Sequence, residues 1–117
     1  MKFQDTGLDG MLIEFQSLEE IMESAGFAYQ YDYERATFDY KIIDQVHNDV
    51  YYFRIPSHVE EGEIPSPHSM IRLMTPYVGK HYYPHGVEYD EEFPQFVTDK
   101  CQKKIQGILD KVKNEAL

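Results

Sequence analysis

Large apolar side chains recur at every second position through the first third of the chain. Phe27, Tyr29, Tyr31 and Tyr33 alternate with Gln30 and Asp32; Phe38, Tyr40 and Ile42 alternate with Asp39 and Lys41. A period of two places one set on one side of a pleated strand and the other set on the opposite side. All ten tyrosines fall between Tyr29 and Tyr89, whereas the flanks use Leu, Ile, Met, Val and Phe. Tyrosine suits half-buried sheets, so the middle of the chain reads as a strand block between two helical ends.

The remaining strands follow from similar patterns. Met11 to Phe15 forms a short first strand after turns at Gly7 and Gly10. His47-Asn48-Asp49 is a hairpin turn. Val50 to Ile55 is apolar on both faces except at Arg54, the pattern of a central strand, and Pro56 is expected to end it. Residues 57–69 then read as a long irregular acidic loop with His58 and His68 near its ends. Met70 to Met74 is the next strand, and Tyr77 to Tyr83 and Val87 to Tyr89 flank a hairpin turn at Pro84-His85-Gly86.

Two helices bracket the block. Ser17-Leu18-Glu19-Glu20 has the spacing of a capping box, and Leu18, Ile21, Met22 and Ala25 form one apolar face that Gly26 closes. After Glu91, Glu92 and Pro94, residues Phe93, Phe96, Val97, Cys101, Ile105, Ile108, Leu109 and Val112 make a stripe of helical period. Gly107 interrupts this helix, and a close approach of the sheet is the expected reason. The expected fold is α+β: an antiparallel sheet of about five strands with a short N-terminal and a long C-terminal helix on one face, in the order β-α-β(4 or 5)-α. At 117 residues, the whole chain, 1–117, is expected to be a single domain.

Charge and cysteine content narrow the function. The formal net charge is −10, and the acidity is uneven: residues 1–98 carry 6 of the 11 basic and 18 of the 21 acidic residues. An acidic body repels phosphate backbones and argues against nucleic-acid partners. No apolar run approaches the ~18 residues of a membrane span, and the N-terminus lacks a signal-type apolar stretch. One cysteine, Cys101, excludes an intramolecular disulfide and a multi-cysteine zinc site. A cytoplasmic protein is expected.

Chemistry-bearing motifs are sparse. No serine sits in a Gly-x-Ser-x-Gly elbow, and no glycine-rich phosphate loop occurs. Cys101 lies on the apolar stripe, where burial as a small hydrophobe outweighs a nucleophilic role. Pro84 prevents His81 and His85 from forming the helical i, i+4 zinc pair. The acidic run Glu60-Glu61-Gly62-Glu63 lacks the alternating spacing of a calcium loop. Arg54 and Arg72, within the later strands, are expected to pair with carboxylates or to receive an anion. The candidate ligand-binding residues are His81, Tyr83, His85 and Arg72; no catalytic residue, resident metal or cofactor is assigned.

Three segments carry a family likeness: Tyr31-Asp-Tyr-Glu-Arg-Ala-Thr-Phe-Asp-Tyr40, Gly62-Glu-Ile-Pro65, and Leu73-Met-Thr-Pro-Tyr-Val-Gly-Lys-His-Tyr-Tyr-Pro-His-Gly-Val-Glu-Tyr89. They resemble the YugN-like family of small proteins from Bacillus and relatives, along nearly the whole chain. The resemblance implies a small α+β domain in the bacterial cytoplasm and brings no catalytic or cofactor residues. The expected function is a non-catalytic cytosolic binding or interaction module, assembled as a homodimer. The alternative is a small metal- or anion-binding protein, or an enzyme, using the His81, His85 and Arg72 region.

Overall fold

The computed structural model describes residues 1–82 and 86–115. The chain runs β1 (Leu12–Glu14), α1 (Phe15–Ser24), β2 (Ala28–Tyr31), β3 (Arg35–Asp44), β4 (Asp49–Glu61), β5 (Met70–Leu73), β6 (Tyr77–Tyr82), β7 (Gly86–Glu88) and α2 (Gln95–Glu115). The class is α+β, and every strand pairing is antiparallel. The sheet holds seven strands rather than about five, in the order β1-β5-β4-β3-β2 with β6 on β4 and β7 on β6.

The additional strands follow from the length of β4. It is 13 residues long, and Asp49 to His58 pair with β3 along one edge. Its other edge is shared end to end: Val50 to Arg54 pair with β6, and Ser57 to Glu61 pair with β5. Pro56 therefore does not stop the strand. In an extended strand a residue's N–H and C=O point to the same side. The Pro56 carbonyl accepts from Met74 N–H at 2.9 Å, in the segment between β5 and β6. The donor that proline lacks thus points to the same side, toward the segment between β5 and β6, and the ladder to β3 loses nothing. The irregular stretch shrinks to residues 62–69, and Ile64 within it is fully buried.

The β3–β4 hairpin turns where the sequence places it. Asp44 accepts from the backbone N–H groups of Val46 and His47, and Asn48 adopts φ 56°. Helix α1 begins two residues before Ser17, so Ser17 is not its cap. The N–H of Phe15 donates to the Ser69 carbonyl and that of Gln16 to the Pro67 carbonyl, at 2.9 and 3.0 Å. The loop before β5 thereby satisfies donors that a capping box would otherwise serve. At the other end, Gly26 has φ 89° and its N–H returns to Glu23, as a helix C-terminus requires.

Both helices cover one face of the sheet. Phe15, Leu18, Ile21 and Met22 of α1 and Val97, Cys101, Ile105, Ile108, Leu109 and Val112 of α2 join one core with alternate residues of β3 and β4. From β3 these are Ala36, Phe38 and Ile42; from β4 they are Tyr51, Phe53 and Ile55. Phe53 meets the rings of Phe3 and Phe27 edge-on, at 5.7 and 5.8 Å. Phe96 departs from the expected stripe: it stays 44% exposed and meets Tyr51 edge-on. Cys101 is buried, and burial pushes its thiol pKa up to about 12, so the thiolate is strongly disfavoured. Gly107 is also placed differently from expectation. A Cβ there would meet nothing within 4 Å, so no sheet contact demands glycine at this position.

Candidate functional site: the open face of the sheet

The face opposite the helices is built by the register of the strands. Directly paired residues share a face, so each row can be read across the sheet. One row runs Ile43, Val50, His81 and Val87; the next runs Lys41, Tyr52 and Gly79. A third runs Asp39, Arg54 and Tyr77, and further along lie Arg35, His58, Arg72 and Leu12. Four of these positions are basic, although the chain as a whole is strongly acidic. The acidic groups on or against the face include Asp39, Glu14, Glu60 and Glu61, so this surface is close to neutral.

Arg54 is the centre of the face. Its Nε lies 3.2 Å from Asp39 Oδ1, and its Nη1 donates to the Tyr89 hydroxyl at 2.5 Å. The guanidinium stands 5.4 Å from the ring centre of Tyr52, a cation–π distance. Tyr89 in turn meets Tyr77 edge-on at 5.2 Å, and Tyr52 meets His81 edge-on at 5.9 Å. Gly79 makes this arrangement possible. A Cβ there would fall 2.5 Å from Val87 Cγ1 and 2.6 Å from Tyr89 Cδ1, so glycine lets Tyr89 lie across β6 toward Arg54.

The electrostatics of the cluster are those of partial desolvation. Asp39 Oδ1 and Arg54 Nε are shielded from solvent and in ionic contact, yet their alignment is not that of a hydrogen bond. Burial raises the Asp39 pKa, and Arg54 opposes that rise without cancelling it. Burial likewise raises the Tyr77 pKa, with the neighbouring Tyr89 adding to it. The tyrosines therefore present hydroxyls and ring faces around one cation. This suits recognition through stacking and hydrogen bonding.

Arg72 occupies a different part of the face. Its Nε donates to Glu60 and its Nη1 to the Gly10 carbonyl, both at 2.7 Å. His58 Nε2 lies 3.0 Å from the same Glu60 oxygen. The Arg72 hydrogen bond, reinforced by His58, holds the Glu60 carboxyl below its usual range. A shallow concavity of 460 Å³ beside Arg72 is lined by Pro56, His58, Met74 and Tyr77, among others. The guanidinium there is already answered by a carboxylate and a carbonyl, which favours pairing over anion capture.

The expected His81–Arg72 grouping does not form. His81 pairs with Val50 of β4 and Arg72 with His58, eight positions further along the same strand. At about 3.3 Å per residue they stand roughly 26 Å apart. Tyr83 and His85 lie outside the described residues. Among the described residues, no three His, Cys, Asp or Glu side chains come together in a cation-holding group. His68 lies 2.7 Å from Glu14, whereas His58 lies against Glu60. The residues that do converge, Asp39, Tyr52, Arg54, Tyr77 and Tyr89, were visible only in part. Alternation puts Tyr52 and Arg54 on one face, but their neighbours depend on register. A glycine inside the strand pattern, Gly79, was the one local mark of a close approach.

Comparison with known proteins places this architecture. A Bacillus subtilis (strain 168) protein described as uncharacterized protein YlbA is 44% identical over 117 residues, covering 97% of this chain and 96% of that protein. A second from the same strain, uncharacterized protein YugN, is 32% identical over 76 residues, covering 62% of this chain and 54% of its own length. The crystal structure of an uncharacterized conserved protein YugN from Geobacillus kaustophilus HTA426 superposes with a TM-score of 0.84 at 36% identity, covering 97% of this chain and 96% of that one. The model of the YugN-like family matches residues 4–112, and the chain belongs to that family.

Proposed function

We propose that this protein is a non-catalytic cytosolic binding module, and that the open face of its sheet docks a second copy of the chain. The observation that carries the reading is the distribution of charge and aromatic surface over the two sides of the sheet. One side is sealed by α1 and α2. The other presents Tyr52, Tyr77 and Tyr89 around a half-desolvated Arg54, on a surface that is near neutral in a chain of net charge −10. Two copies repel each other through most of their surface, and least through this face. Tyrosine and arginine are also the side chains that interfaces favour. Ile43, 56% exposed in the row with Val50, adds an apolar contact at the rim. Single-cysteine usage fits a reducing compartment, and among the described residues no helix is long and apolar enough to cross a membrane.

Light scattering coupled to size-exclusion chromatography tests the reading. At micromolar concentrations the wild type should have twice the 13.8 kDa of one chain. Ile43→Asp should shift it to the monomer without changing its circular dichroism. A wild type that stays monomeric across that range would overturn the proposal.

A further inference from the structure

The helical layer carries a second surface, on the far side of the sheet from Arg54. A groove of 320 Å³ runs between the C-terminus of α1 and the middle of α2. Ala25, Gly107 and Ile108 form its floor, and Lys100, Lys103, Lys104 and Lys111 stand around it. Three features of the groove are independent of one another.

The first is the concentration of cations. Four of the chain's 11 basic residues surround one groove, in a protein with 21 acidic residues. Among the described residues none of the four forms an ion pair with a carboxylate. Lys100 and Lys104, at i and i+4, repel each other along the same helix face. The second feature is Gly107, which sits in the helix on this stripe with open space where its Cβ would be. Any larger residue would project into the groove. The third is the fixing of one lysine. Lys104 Nζ donates to the Ala25 carbonyl at 2.6 Å and lies 4.3 Å from the Tyr40 ring centre, so one wall is held in place before any ligand arrives.

We infer that this groove binds a small amphipathic anion, its apolar body over Gly107 and Ile108 and its anionic head among Lys100, Lys103 and Lys111. An apolar floor with a few convergent charged groups is the usual composition of a small-ligand site, and the volume lies at the small end for such sites. The anion relieves the repulsion among lysines that no carboxylate of the described chain answers. The site is separate from the open sheet face and does not depend on the self-association proposed above.

The fluorescent probe 8-anilinonaphthalene-1-sulfonate, titrated into the full chain, has the required combination of aromatic body and sulfonate. The wild type should bind it saturably, and octyl phosphate should displace it where octanol at the same concentration does not. Replacing Lys100, Lys103 and Lys111 together by Gln, with Lys104 kept, should weaken binding by about tenfold or more. Gly107→Leu should abolish binding while leaving the melting temperature equal to or above that of the wild type. The inference is overturned if the wild type shows no saturable binding. It is overturned equally if octanol competes as well as octyl phosphate, or if the triple variant and Gly107→Leu both bind as the wild type does.

Discussion

Along β4, neighbouring residues of similar chemistry have opposite surroundings. Tyr51, Phe53, Ile55 and Ser57 are buried beneath the helices, while Tyr52, Arg54, Pro56 and His58 line the open face. The core side is held by shape: Phe53 is fully enclosed, and Tyr51 packs edge-on against Phe93 and Phe96. The open side is held by partnerships between polar groups: Arg54 with Asp39 and Tyr89, and Arg72 with Glu60 and Gly10. One strand thus serves a packed interior and a surface of half-exposed rings and cations. Stability should reside mainly in the first and recognition in the second.

Truncation on the two sides should separate them most strongly. Phe53→Ala should cost about 3–5 kcal/mol, because a fully buried ring leaves a cavity between Phe3 and Phe27. Tyr52→Ala should cost about 1 kcal/mol or less, since its ring is partly solvated. Urea denaturation read by circular dichroism measures both; equal losses would break the distinction. Gly79→Ala should cost about 1–3 kcal/mol by overpacking, because the new methyl meets Val87 and Tyr89. The same variant should push Tyr89 off Arg54, visible as a shifted Tyr89 ring resonance. By contrast, Gly107→Ala should stabilise the chain by about 0.5–1 kcal/mol, since helix propensity improves and nothing obstructs the methyl.

The smallest expected effects separate the two ion pairs of the open face by sign. Glu60 has a lowered folded pKa, so its stabilisation is present above the ordinary glutamate range and fades as pH falls through the lowered value. Asp39 has a raised folded pKa, so its contribution is most favourable below the ordinary aspartate range and is lost as pH rises through the raised value. Glu60→Gln should therefore flatten the loss of stability on acidification, and Asp39→Asn should steepen it. Urea midpoints collected between about pH 3 and pH 7 decide this; a change of slope in the same direction from the wild type in both variants would contradict the assignment.

How much of this was legible in the sequence depended on whether the deciding contact was local. The α2 stripe from Val97 to Val112 and the alternation of Phe38 with Asp39 rest on periodicity: the stripe and Phe38 are buried, and Asp39 faces the other way, while Phe96 at the start of the helix stays exposed. Ser17 was misleading because carbonyls from Pro67 and Ser69, about fifty positions away in the chain, take the helix donors. Pro56 was misleading for a related reason: whether its missing N–H matters depends on β5 and β6 meeting opposite it. The site shows the same division. Alternation puts Tyr52 beside Arg54, but only the registers of β3 and β6 bring Asp39 and Tyr77 to them. The expected grouping of His81 with Arg72 fails because β4 is long enough to hold their two strands at opposite ends.

Hydroxyl-radical footprinting of the full chain over a dilution series is the most direct test of the open face as the docking surface. The account predicts that Tyr52, Tyr77 and Ile43 become protected together as concentration rises, while Tyr33, 71% exposed in the turn after β2, is modified at the same rate throughout. Protection that is independent of concentration at all three, or that rises only along α2, would contradict it.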